Sequence, residues 1–166
     1  MGTKAALPVE EYLRTTFPDL DKEYRDGVLV ERSLPDYLHG KTQGLLFAFF
    51  AALRKTLSVF PAVETRLKLQ ANVYLIPDVV VFYPSEPQGG VPDSPPLIAI
   101  EVVSRDDKMA KLRQKLEDYH AWGIPHVWLV DPHSKRLYTC DAGLVEVSTL
   151  KVPELSIEVT PGDIFE

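Results

Sequence analysis

The chain has 166 residues, 45% hydrophobic and 25% charged, enough apolar content to bury a core and too much for an intrinsically disordered tail. A net charge of -6 and a pI near 5.2 are mildly unfavourable for holding nucleic acid by bulk charge alone, so such a partner needs a local basic patch or bound cations. Cys140 is the only cysteine, which excludes an intramolecular disulfide and a zinc ribbon and fits a reducing cytoplasm.

The expectation is one domain over residues 1–166, with about residues 1–7 as a flexible tail. No charged-then-apolar leader opens the chain, and the apolar run Gly44–Leu53 is too short to span a bilayer, so no membrane partner is expected. Pro8 followed by Val9 to Leu13 reads as a short helix. Asp26-Gly27 reads as a turn leading into a strand over Val28 to Glu31. Asp36 is placed to cap a long helix from about Tyr37 to Ser58, whose Leu45, Leu46, Phe49, Phe50, Leu53 and Leu57 recur at helical spacing, with Pro61 as its stop.

Strands follow over Ala62–Leu69, Val79–Phe82 and Leu97–Val103. Ser85–Pro96 carries four prolines and two glycines and reads as a long loop. A helix is expected from about Asp106 to Trp122, closed by Gly123, then a strand over Val127–Val130. A hairpin about Asp141-Ala142-Gly143 and a short strand over Ser156–Val159 complete the chain. Apolar strands flanked by amphipathic helices predict an α/β fold with a mixed sheet covered on its faces. His120, His126 and His133 recur loosely and read as solvent-facing or capping residues.

Glu101 interrupts the most apolar strand, Ile98-Ala99-Ile100-Glu101-Val102-Val103. A buried carboxylate needs a metal, a cation or a proton. Asp78 heads the other very apolar strand. If the Ser85–Pro96 loop joins the two as an antiparallel pair, pairing Phe82 with Leu97 sets Asp78 opposite Glu101, with Cβ atoms about 4.5–5.5 Å apart. Two carboxylates that close repel unless a cation lies between them, and a hard divalent ion, Mg²⁺ or Mn²⁺, suits oxygen ligands. The bland alternative makes Asp78 a turn residue after Pro77 and pairs Glu101 with a lysine or arginine.

On the following helix, Trp122, Lys115, Lys108, Tyr119, Leu112, Leu116 and Met109 fall within one arc of roughly 140° at about 100° per residue. Lys115 and Lys108 lie in or beside this stripe. Each either snorkels to solvent along the stripe edge or reaches the carboxylates, where it would stabilise charge on a phosphate.

The segments Pro77-Asp78-Val79-Val80-Val81, Ile100-Glu101-Val102-Val103-Ser104, Lys115-Leu116-Glu117-Asp118-Tyr119 and Gly123-Ile124-Pro125-His126-Val127-Trp128-Leu129-Val130-Asp131-Pro132 together resemble the Uma-two family of restriction-endonuclease-like proteins, in the PD-(D/E)xK nuclease superfamily. Glu23-Tyr24-Arg25-Asp26-Gly27, His39 and Ile164-Phe165 extend the resemblance to nearly the whole chain. It implies a restriction-endonuclease-like αβββαβ core with extra peripheral strands, a homodimer, and the superfamily's acids at Asp78 and Glu101. The superfamily's usual lysine position, two residues after the second acid, holds Val103 here, and the family pattern points instead to Lys115 on the helix. Glu31 and His39 either lie near the site or have structural roles, the second being favoured; Tyr119 is read as core, and Ser104 as helping to cap the helix, since no His/Asp partner pattern accompanies it.

The function expected is Mg²⁺-dependent hydrolysis of DNA phosphodiester bonds, without an organic cofactor. Asp78, Glu101 and the Val102 carbonyl would hold Mg²⁺ (or Mn²⁺), and Lys115 would stabilise the transition state. The alternatives are a catalytically inactive nuclease-fold protein that binds nucleic acid or protein, and a purely structural dimer.

Overall fold

The structure, a computed structural model, describes residues 5–166. Of the tail expected over residues 1–7, residues 1–4 lie outside the described residues. Leu7 is anchored: its N–H donates to Gly27 O (3.0 Å) and its carbonyl accepts from the Tyr24 hydroxyl (2.5 Å).

After α1 (Val9–Arg14), the hairpin of β1 (Glu23–Arg25) and β2 (Val28–Val30) turns on Asp26 and Gly27, at φ 49° and 86°. Both angles are positive, the turn chemistry that Asp-Gly favours. In α2 (Tyr37–Leu57), the Asp36 side chain accepts the His39 N–H at 3.0 Å, the expected cap. The helix ends on Ser58 in the left-handed conformation (φ 54°). Pro61 does not stop it. Pro61 lies inside β3 (Phe60–Val63), an edge strand, where proline's missing N–H is tolerated.

The single strand expected over residues 62–69 is two. Glu64 adopts φ 52° and redirects the chain from β3 into β4 (Leu67–Gln70), which belongs to another sheet. β4 pairs with β5 (Val73–Leu75), a short strand that the sequence reading passed over.

β6 (Val79–Phe82) and β7 (Ile98–Val102) are buried along their whole length. They pair antiparallel with Val79 facing Ile100 and Val81 facing Ile98. This is the register inferred from pairing Phe82 with Leu97, and its continuation sets Asp78 opposite Glu101. α3 (Met109–Trp122) then crosses over to β8 (His126–Asp131), which runs parallel to β7, as a parallel pair requires. β9 (Arg136–Cys140) and β10 (Leu144–Val147) form the expected hairpin. β11 (Leu150–Val152), a 3-10 turn at Pro153–Leu155, β12 (Ile157–Val159) and α4 (Pro161–Phe165) close the chain.

The large sheet has the order β10-β9-β8-β7-β6-β3, mixed because β7 and β8 are parallel; the small one has the order β2-β1-β5-β4. Read as α2-β3-β6-β7-α3-β8, the centre is the expected αβββαβ core, with β4 and β5 inserted. Strand alternation assigns the two faces of the large sheet. Ile98, Ile100 and Val102 pack under Leu46 and Phe50 of α2, a face completed by Leu150, Val159 and Ile164 of the C-terminal segment. Ala99 packs under Leu112, Leu116 and Tyr119 of α3. Glu101 shares the Ala99 face and so points toward α3. Met109, expected within the α3 stripe, is 44% exposed, because the packed part of the helix begins at Leu112. No helix among the described residues is long and apolar enough to cross a membrane.

Candidate active site

Asp78 and Glu101 are both buried, 4% and 5% exposed, at the adjoining ends of β6 and β7. Asp78 is fixed from several sides. Its Oδ2 accepts the Val102 N–H at 2.7 Å and lies 3.3 Å from His39 Nε2. Its Oδ1 accepts from Arg32 at 3.3 Å. Gln43 of α2 donates to the Asp78 carbonyl at 2.9 Å, which holds the backbone as well. Glu101 uses one oxygen: Oε1 accepts from Lys115 Nζ at 2.8 Å and from the Tyr119 hydroxyl at 2.9 Å. No donor among the described residues meets Oε2.

Lys115 therefore does not snorkel. Its ammonium turns inward to three acceptors, Glu23 Oε1 at 2.6 Å, Glu101 Oε1 at 2.8 Å and Ile76 O at 2.8 Å. Lys108 behaves in the opposite way: it is exposed at the N-cap of α3. Ser104 is not the cap residue. It sits in the preceding turn, where its N–H donates to Asp107 Oδ2 at 2.6 Å. Glu31 is exposed beside Lys22 and lines the same cavity as the two acids.

These groups line one cavity of about 460 Å³, whose walls include Glu23, Arg32, His39, Asp78, Glu101 and Lys115. Three members were missed as site residues in the sequence. Glu23 and Arg32 lie on or beside the small sheet, more than forty positions from Asp78 in the chain; Glu23 stands in a segment of the family resemblance, and nothing local marks Arg32. His39, which stands in the family resemblance and is favoured there as structural, has its ring against Asp78. That pattern was the one signal available. Tyr119 is core by packing, as expected, but its hydroxyl also reaches Glu101.

The electrostatics divide the pair. Burial pushes Asp78 up, but the hydrogen bond and charge of His39, the Lys115 charge and the Val102 N–H together hold it below the usual carboxylate value. Burial pushes Glu101 up to about 8, only partly offset by Lys115 and reinforced by the charges of Asp78 and Glu23. Burial opposes the charge on Lys115, yet Glu101, Glu23 and Asp78 outweigh it and raise its pKa. The two partners thus respond unequally. The ammonium keeps its proton firmly, while burial drives the Glu101 carboxyl toward neutrality. Burial and the neighbouring Glu101 also raise Tyr119, so its hydroxyl stays a donor.

Among the described residues, no group of three His, Cys, Asp or Glu side chains is arranged to hold a metal ion. Mg²⁺, however, commonly uses one or two carboxylates and keeps several waters. Two opposed, all-oxygen carboxylates fit that demand. Among the described residues no donor meets Glu101 Oε2, and burial disfavours a charged Glu101, a cost that a bound cation would offset.

Residues 9–163 match the Uma2 family model, described as "Putative restriction endonuclease". A crystal structure of a protein described as "a putative nuclease belonging to DUF820", from Anabaena variabilis ATCC 29413, superposes with a TM-score of 0.78 at 19% sequence identity, over 94% of this chain and 96% of that one. At that identity the likeness establishes a shared fold. A comparison with curated proteins returned no match.

Proposed function

Because this chain belongs to the Uma2 family, we propose that it is a metal-dependent nuclease that hydrolyses DNA phosphodiester bonds at the Asp78–Glu101 pair. The observation that carries this reading is the two buried carboxylates at the adjoining ends of β6 and β7, with the Lys115 ammonium 2.8 Å from Glu101.

Asp78, Glu101 and the Val102 carbonyl would hold Mg²⁺ or Mn²⁺, which when bound activates water and neutralises charge at the scissile phosphate. The chain's own residues prepare that place. The Val102 N–H and His39 fix the Asp78 carboxylate. Tyr119 and Lys115 share one Glu101 oxygen and leave the other facing the cavity. The Lys115 ammonium adds positive charge where a phosphorane would develop negative charge. The reading extends to a cytoplasmic homodimer, supported by the reducing-compartment signature of a lone buried cysteine and by the family resemblance; sedimentation or light scattering tests the oligomer.

A panel of plasmid, linear, branched and single-stranded DNA with Mg²⁺ or Mn²⁺ tests the activity. Cleavage should appear only with metal and fall by about 10³-fold or more in Asp78→Ala and Glu101→Ala. Intact cleavage by both variants rejects the assignment.

A second reading, binding without cleavage, draws on Val103 at the usual lysine position and on Asp78 being already met by Arg32 and His39. Under it, millimolar Mg²⁺ or Mn²⁺ leaves the thermal midpoint unchanged. Under the nuclease reading, metal raises the midpoint and Glu101→Gln removes the rise.

A further inference from the structure

We propose that Glu23, supplied by the small sheet, is the positioning residue that holds the Lys115 ammonium over the Asp78–Glu101 pair. The proposal rests on the nuclease reading for its catalytic consequence, but not for the contact itself.

A lysine reaching the site from α3 carries a flexible four-carbon stem and a point charge that any nearby acceptor can recruit. Glu101 alone gives that ammonium one anchor, from the side of the large sheet. The opposite side is built by β1 and the segment after β5: Glu23 Oε1 at 2.6 Å and the Ile76 carbonyl at 2.8 Å. Glu23 is itself fixed, because the same Oε1 accepts the Ile76 N–H at 2.9 Å. Its side chain is 7% exposed and that of Lys115 12%. The three contacts match the three hydrogens of an ammonium, so Lys115 has a defined place rather than a range of rotamers.

This arrangement is a poor stability device. Glu23, Asp78 and Glu101 are all buried beside one lysine, and buried ion pairs are often no better than apolar residues of the same volume. Two buried acids, Glu23 and Glu101, sharing one ordered ammonium are the kind of local inconsistency expected where function sets the residues. The two arginines on the same cavity have other partners: Arg25 pairs with Asp118, and Arg32 with Glu64 and Asp78. Neither competes for Glu23.

The test compares Glu23→Ala and Glu23→Gln in the full chain, with two readouts. The first is acetylation of Lys115 by acetic anhydride, followed by peptide mass spectrometry, with exposed Lys108 and Lys111 as internal references. Freed of its anchor, Lys115 should react roughly tenfold faster in Glu23→Ala. Glu23→Gln, whose amide oxygen can still accept from Ile76 and Lys115, should stay near the wild type. The second readout is cleavage: kcat should fall roughly 10²-fold in Glu23→Ala with KM for DNA unchanged, and be largely restored in Glu23→Gln.

Unchanged Lys115 labelling in Glu23→Ala overturns the proposal. So does increased labelling with kcat intact, or a kcat loss that only tracks the unfolded fraction seen by thermal melting. If the wild type cleaves nothing, the nuclease reading fails, while the labelling still decides whether Glu23 holds Lys115.

Discussion

The large sheet and the small sheet contribute to the site in unlike ways. The large sheet provides the acids from two strands buried on both faces, with the register fixed by continuous pairing between β6 and β7. The small sheet consists of three- and four-residue strands, yet it provides Glu23 and adjoins the Ile76 carbonyl and Arg32. Carboxylates that must sit close together need a rigid, desolvated frame. The cations that compensate them come on long side chains and can be steered from outside that frame.

Truncation separates the two regions most strongly. Phe50 is fully buried against Trp128 between α2 and the large sheet. Phe50→Ala should lower unfolding free energy by about 3–5 kcal/mol. Leu29 in β2 is only partly buried at the outer edge of the small sheet, and Leu29→Ala should lose about 1 kcal/mol or less. Urea denaturation measures both; equal losses would mean that the small sheet is as integral to the core as the large one.

The same division decided what could be read from the sequence. The large sheet announced itself through long apolar runs, and a single acid within one of them marked Glu101. Its register followed from pairing Phe82 with Leu97 across the Ser85–Pro96 loop, which placed Asp78. The α2 cap and most of the α3 stripe followed from spacing. The small sheet left weaker marks. β5 is three residues long beside Asn72, too short for alternation to declare itself. Glu64 at positive φ is a backbone choice that glutamate does not advertise, so two strands read as one. Glu23 becomes a site residue only when β1 pairs with β5 beside Lys115, a contact spanning most of the chain.

The next prediction concerns where the lysine enters. Val103 packs with the α3-side cluster, on the face that Glu101 shares. A lysine there would approach the carboxylates from the strand, without the small sheet. Lys115→Ala should reduce cleavage by roughly 10²-fold. Adding Val103→Lys to Lys115→Ala should recover part of that loss and remove the dependence on Glu23. No recovery in a folded double variant would show that the helix and small-sheet route cannot be replaced.

A smaller effect distinguishes the two acids within the large sheet. Glu101 titrates in the folded state at about 8, above the 4.5 of an unperturbed glutamate. Between those values the folded protein binds the extra proton. The stabilisation is complete below about pH 4.5 and is lost as pH rises toward 8, with a slope of at most about 1.4 kcal/mol per pH unit. Asp78, held low, has the opposite sign: its contribution is present above the usual carboxylate range and lost as pH falls. In metal-free buffer, the stability of Glu101→Gln relative to the wild type should therefore grow from pH 5 to 8. A flat difference would mean that Glu101 is already ionised beside Lys115.

The smallest effect lies where the two regions meet. Arg25 is two residues from Glu23 on β1 and so projects from the same face. Its guanidinium reaches Asp118 at 2.5 Å, and Asp118 lies one helical turn beyond Lys115 on α3. The pair is a quarter to a third exposed, so Arg25→Ala should lower stability by no more than about 1 kcal/mol. Its effect on kcat should be larger than that figure suggests if docking of β1 against α3 sets the Glu23–Lys115 distance. Arg25→Ala and Glu23→Ala would then loosen the same contact, and their losses in kcat should combine to less than the sum of the two. Full additivity would instead make Arg25–Asp118 an independent surface pair, with Glu23 held, among the described residues, by the Ile76 N–H and Lys115 alone.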